Sequence, residues 1–332
     1  MGRRIRGGVL SVAQHRFYTA DVFADRAFQG APIAVFPEAA AIPEASLPAI
    51  ARELNLSETV FVYPDTVSGT VSDTASSTSP ATPPQRFRLR VFTPAGEVGF
   101  AGHPMLAVAR VLLETGLGPL GERPLPLTFV QNSGAISVNL GPARGNACFV
   151  QFSLRVNPVL DRYTPTNAEL AALLSLPERE IDTRLFGTRL ASIDVPYLIV
   201  PILSQEAVEK ARFNLEAWSR SGAPALAAQE IFLFSGRTRT RDADFHGRLL
   251  GPAIGPRSDP PIGSVMPCFA GYLADHAHIR EGTYTFTIDR GTPETRRSLL
   301  HIEIDKRRDR PVMLRVGGDT VLVTQGTLTL DS

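Results

Sequence analysis

The chain has two cysteines, Cys148 and Cys268, in 332 residues. Two thiols far apart make neither a disulfide framework nor a zinc pattern. The six histidines are scattered, and around His276 and His278 there is no cluster of cysteines and carboxylates. A reduced, metal-free, cytoplasmic protein is therefore expected. No apolar run is long enough to span a bilayer, so no membrane partner is expected. The 34 Lys and Arg nearly balance the 33 Asp and Glu, which excludes a strong nucleic-acid footprint. There is no GxGxxG and no Walker motif, so no nucleotide cofactor is expected. The basic "MGRRIRGGVLSVAQHR" lacks the apolar stretch and cleavage site of a secretory signal. It reads as a frayed extension; a mitochondrial presequence is the alternative with less to support it.

What is present is a hydrophobic content of 43% and a length that suggests two domains. We place the boundary at 157/158, giving an N-terminal domain of 1–157 and a C-terminal domain of 158–321, with a strand at 322–332 able to return to the first. Alternating "RFYTADVFA" and "GAPIAVFP" read as strands. Leu47, Ile50, Ala51 and Leu54 make one apolar face of a helix ending near Asn55. The Ser-, Thr- and Pro-rich 65–85 reads as a mobile insertion. In "RFRLRVFTP", Phe87, Leu89 and Val91 alternate with three arginines, the mark of a half-buried strand. "AGHPMLAVARVLLETG" is a helix apolar on most sides. Thr166 or Asn167 caps a helix in the second half, "QEAVEKARFNLEAWSRSG" reads as one helix, and "VMLRVGG" and "DTVLVTQGTL" read as closing strands. Mixed strands about one long buried helix per half give an α+β architecture.

"LNLSETVFVYP" poses the functional question. Glu58 precedes an apolar strand, where a charge is costly to bury. Either it is a solvated turn residue or it sits in a cleft to move a proton. "EVGFAGHPMLAVARVLLE" and "DPPIGSVMPCFAGYLAD" form an internal pseudo-repeat that pairs Glu97 with Asp259, Gly102 with Gly263 and His103 with Ser264. Two helix starts facing each other would present free N–H groups to a small anion. The bland reading makes them two ordinary caps.

"GAPIAVF", "ELNLSETVFV", "RVFTPAGEVGFAGHP" and "RLLGPAIGPRSDPPIGS" occur in the order and spacing of the PhzF-like family, related in fold to diaminopimelate epimerase. The resemblance runs from about Arg16 to Leu330. It implies two similar domains, each a curved mixed sheet or barrel around a central helix, with the active site between them. It implies no metal or organic cofactor, and members are often homodimers. By motif, the catalytic residues it implies are Glu58, His103 and Asp259; Ser57, Gly102, Gly263 and Ser264 would bind substrate. The cysteines of the epimerase relatives are replaced by Ala101 and Ile262, which disfavours a two-thiol mechanism. Other departures are Ala31 for Asn, Met105 for Thr, Ser258 for an acid, Ile262 for Thr and Pro261, read as a more apolar, reshaped second half of the pocket and a substrate different from the phenazine precursor.

The expectation is therefore a cofactor-independent isomerase of secondary metabolism. Glu58 would move a proton on a small unsaturated or cyclic carboxylate, since such chemistry needs a base that returns the proton as an acid. A lyase or cyclase outcome from the same deprotonation, or a catalytically silent binding protein, are the alternatives. Each residue also has a structural reading: Glu58 solvated, His103 and Ser264 as caps, Asp259 in a turn.

Overall fold

The structure is a computed structural model that describes residues 12–65, 85–117, 126–161, 164–193, 195–221, 230–255, 259–292 and 295–331. The expected insertion at 65–85 lies, apart from its two end residues, outside them.

The first half runs β1 (Val12–Val22), β2 (Ala31–Phe36), α1 (Leu47–Leu54), β3 (Glu58–Pro64), β4 (Arg86–Thr93), β5 (Gly96–Val98), α2 (Pro104–Glu114), β6 (Leu127–Gln131), β7 (Gly134–Arg144) and β8 (Ala147–Val156). The second runs β9 (Val159–Asp161), α3 (Asn167–Leu174), β10 (Arg189–Ser192), β11 (Pro196–Pro201), α4 (Gln205–Lys210), α5 (Leu215–Arg220), β12 (Glu230–Ser235), β13 (Phe245–Leu250), α6 (Met266–Asp275), β14 (Gly282–Arg290), β15 (Ser298–Lys306) and β16 (Val312–Asp331).

Strands β1, β2, β3, β4, β6, β7, β8 and β16 close into a ring, because β1 pairs with both β2 and β16. β16 then continues into a second curved sheet through β15, β14, β13, β12, β11 and β10 to β9. The halves match in strand direction. β2–β3 and β11–β12 are parallel, β3–β4 and β12–β13 antiparallel, and β4–β6 and β13–β14 parallel. Each half wraps one helix that is apolar nearly all round, as a buried helix must be. In α2, residues 104–112 are buried; in α6, residues 266–274 are. Leu89 and Val91 of β4 share the core of α2, as the alternation requires.

Burial in α6 is tight at Gly271, where a methyl group would fall 2.0 Å from Cγ of Pro158. Gly271→Ala is therefore expected to destabilise by about 1–3 kcal/mol through overpacking, against a helix-propensity gain of about 1 kcal/mol. Urea denaturation checks this, and an unchanged or raised midpoint would mean that the Pro158 turn yields freely.

Four features depart from the sequence reading. The N-terminal extension is not frayed throughout: Val12–Arg16 pair with Thr327–Asp331. The helix expected over 205–222 is two helices. Asn214 caps the second by accepting from the Ala217 N–H at 3.0 Å, while the N–H groups of Arg212 and Asn214 donate to Leu174 and Leu173 carbonyls. The two closing strands are one strand, β16, whose Gly317 and Gly318 lie where backbone and the Phe23 ring approach within 3 Å of any added Cβ. β13 has no counterpart in the reading, nor have the short strands β5, β9 and β10.

The halves are stapled near the site. Arg296 pairs with buried Asp21 and donates to the Gly30 carbonyl at 3.1 Å, and Asp21 also accepts from the Phe28 N–H. Burial raises the Asp21 carboxyl above its ordinary value, and Arg296 opposes the shift. The Phe23 carbonyl accepts from the Leu299 N–H at 2.9 Å, and the Asp319 carbonyl accepts from the Ala24 N–H at the same distance. These bonds fix Phe23, which holds a left-handed φ of 64°.

Candidate active site

Glu58 is the first residue of β3, beside Ile33 of β2. Its parity is that of Val60 and Val62, which point into the core of α2. The carboxylate thus sits at the mouth of the ring, with its side chain 13% exposed. Its Oε2 lies 3.0 Å from Nε2 of His103, whose side chain is 5% exposed. Glu58 is not a solvated turn residue. His103 precedes α2, yet its side chain caps nothing. The other ring nitrogen, Nδ1, is buried without a hydrogen-bond partner. That favours the tautomer carrying its proton on Nε2, donated to Glu58.

The second half closes on this pair. A Cβ on Gly263 would lie 3.0 Å from His103 Nδ1 and 3.1 Å from its Cβ, so only glycine lets the two helix starts meet this closely. Gly102 is similarly confined, a Cβ there falling 2.6 Å from the Phe152 ring. Buried Gln131 clamps the preceding residue. It accepts from the Ala101 N–H at 2.9 Å and donates to the Ala101 carbonyl at 3.0 Å. Phe23 packs on the other side of His103, with ring centroids 6.2 Å apart, and also lines a cavity of about 130 Å³ with Arg297, His301 and Asp319.

The remaining expected residues fall into place unevenly. Ser57 is half-buried beside Glu58. Asp259 pairs through Oδ2 with Nη1 of Arg290 at 2.8 Å, and its Oδ1 is buried with no partner. No hydrogen bond among the described residues joins Asp259 to Glu58 or His103. Ser264 caps no helix; its side chain lies within reach of the Tyr197 hydroxyl. Burial pushes that phenol up to about 12, with Ser264 opposing. The expected apolar reshaping of the pocket needs correction. Ala31, Met105 and Ile262 expose 0%, 0% and 1% of their surface, so they fill the core and present nothing to a ligand. Cys148 and Cys268 are buried, and burial raises the Cys148 thiol. Among the described residues no three His, Cys, Asp or Glu side chains converge as metal ligands do, and no helix is long and apolar enough to cross a membrane.

The sequence profile of the family described as phenazine biosynthesis-like protein matches residues 20–326. The chain belongs to this family. Among its relatives is an uncharacterised isomerase of Mesorhizobium japonicum, 29% identical over 93% of this chain and 96% of that one. The trans-2,3-dihydro-3-hydroxyanthranilate isomerase of Pseudomonas fluorescens is 27% identical, covering 95% of this chain and 100% of its own. The crystal structure of the PhzF-family protein of Bacillus anthracis aligns with a TM-score of 0.77 at 19% identity, over 96% of this chain and 100% of that one. The two-domain, helix-centred fold and membership of the isomerase class follow from these matches.

In this phenazine biosynthesis-like protein, three residues that contact the expected site residues or their neighbours escaped the sequence reading. Gln131 had a signal: it follows Leu127 and Phe129 on the inward parity of β6, where a polar residue demands a partner. Arg290 and Phe23 had none, being ordinary residues of a strand end and a turn.

Proposed function

We propose that the protein shifts a proton between carbons of a small, carboxylate-bearing, unsaturated or cyclic metabolite, with Glu58 as the acid–base group. The observation that carries this is the 3.0 Å contact between Glu58 and His103, screened from water and closed by Gly263 of the other half. Glu58 as carboxylate takes a proton from a C–H bond of the substrate. The electron pair left behind spreads through the adjoining unsaturation, and Glu58 returns the proton at a second carbon. One C–H bond breaks and another forms, with no net oxidation. His103 keeps Glu58 oriented through Nε2. The N–H groups of the turns that lead into α2 and α6, at Gly102–His103 and Gly263–Ser264, are suited to the substrate's carboxylate and to charge developing on deprotonation. Asp259, through its unpartnered Oδ1, is assigned to a substrate heteroatom. Similarity to the trans-2,3-dihydro-3-hydroxyanthranilate isomerase of Pseudomonas fluorescens supports a substrate of this class.

The test is exchange. The native protein is incubated with trans-2,3-dihydro-3-hydroxyanthranilate in D₂O and followed by proton NMR. Carbon-bound deuterium appearing in substrate or product at a catalysed rate is expected. Ligand binding without exchange would favour a silent binding protein instead.

A further inference from the structure

The strand repeat puts a second carboxylate where Glu58 stands in the first half. β3 begins at Glu58 beside Ile33 of β2, in a parallel pair, and its next residue, Thr59, faces Phe92 of antiparallel β4. β12 begins at Glu230 beside Tyr197 of β11, also in a parallel pair, and its next residue, Ile231, faces Leu250 of antiparallel β13. The inward parities agree too. Val60 and Val62 follow Glu58 into the central core, and Phe232 and Phe234 follow Glu230 there, with their rings 5.1 and 4.9 Å from that of Phe269 in α6. Contacts run between the two positions. His103 holds Glu58, Gly263 abuts His103, and Ser264 meets the hydroxyl of Tyr197, the strand neighbour of Glu230.

We propose that Glu230 is a second proton-carrying side chain of this site, facing the bound acid from the C-terminal half as Glu58 faces it from the N-terminal half. This rests on the proton-transfer reading above. Burial pushes the Glu230 carboxyl up, and among the described residues no charged neighbour opposes the shift. The strand neighbour of Glu230 on β11 is Tyr197, whose phenol it acts on, and Ser264 and Cys268 of the α6 region act on that phenol from the other half of the contact chain. Glu230 thus holds a proton at pH values where an ordinary carboxyl has lost it. In the forward step Glu58 takes a proton from one carbon, as in the reading above, but the return step passes from Glu58 to Glu230, which gives its own proton to the second carbon. Both then re-equilibrate with solvent. A single-base enzyme returns part of the abstracted hydrogen, whereas this pair delivers a solvent-derived one.

The test uses protein labelled with ¹³C at the Glu δ-carbons, with Glu58→Gln and Glu230→Gln assigning the two signals and anthranilate as the probe ligand. Both signals are expected to move on anthranilate binding, and Glu230→Gln is expected to slow deuterium exchange about 10²-fold, the low end for positioned acid–base catalysis. Movement of Glu58 alone, or unchanged exchange in Glu230→Gln, overturns the role of Glu230 and leaves the Glu58 reading standing. Movement of neither overturns both. The variant is expected to fold. A carboxyl raised in the folded state gives stability below its unfolded pKa that is lost as pH rises through the folded value, and Gln removes that loss at neutral pH.

Discussion

Replacing Glu58 by Gln is expected to lower turnover by about 10²- to 10⁴-fold, the contribution of positioned acid–base catalysis. That corresponds to about 3–5 kcal/mol of barrier. The amide keeps the shape of the carboxyl, and its oxygen still accepts from His103 Nε2, so the local packing survives. What it loses is the ability to hold a substrate proton. Steady-state kinetics alongside calorimetric titration with anthranilate separate the two roles. Binding within a few-fold of native with turnover lost marks Glu58 as the acid–base group. Turnover within a few-fold of native would remove it from the chemistry. Parallel loss of binding, turnover and thermal stability would mark it as a structural residue.

The second large effect is expected at Asp259 and concerns stability. Arg290 is 3% exposed, and Asp259 gives it both a carboxylate and a carbonyl. Burial pulls the Arg290 guanidinium down, and Asp259 is what opposes this. Asp259→Ala leaves the guanidinium buried beside a lone carbonyl. Breaking a buried pair in this way costs about 3–5 kcal/mol. A urea midpoint lowered accordingly is the expected result; an unchanged one would show that Arg290 finds another anion or reaches water. Activity of such a variant has to be read per folded molecule. A lost rate alone would not assign Asp259 to the chemistry.

Legibility of the fold followed local pattern. β4 announced itself by strict alternation, α2 by its lack of a polar face, and α3 by a cap read at Thr166 or Asn167; the cap is Thr166, and Glu169 reciprocates it. β13 was hidden because two of its six residues are polar for tertiary reasons. His246 is buried against Asp289 at 2.7 Å, and Arg248 reaches the carbonyls of Glu209 and Ala211 at the end of α4. Neither partner is near in sequence, so no window of residues contains the explanation. The candidate site divides in the same way. Glu58 and His103 stand in recognisable motifs, but their 3.0 Å contact joins residues 45 apart and is seen only in the structure. Arg290 lies 31 residues from Asp259 and Gln131 lies 30 from Ala101. Their importance arises only once the sheet curls. Glu230 stands in no motif, and its correspondence to Glu58 becomes visible only through strand pairing.

β16 has a consequence for the order of assembly. Its residues 312–321 pair with β8, and its residues 320–331 pair with β1. Until this last strand leaves the ribosome, seven earlier strands have two raw edges and no means of sealing them. Open edges of this kind invite association with other chains, and pairings so distant along the chain form slowly. Nascent protein stalled before residue 312 should therefore be a client of chaperones that shield exposed sheet, and completed protein should not.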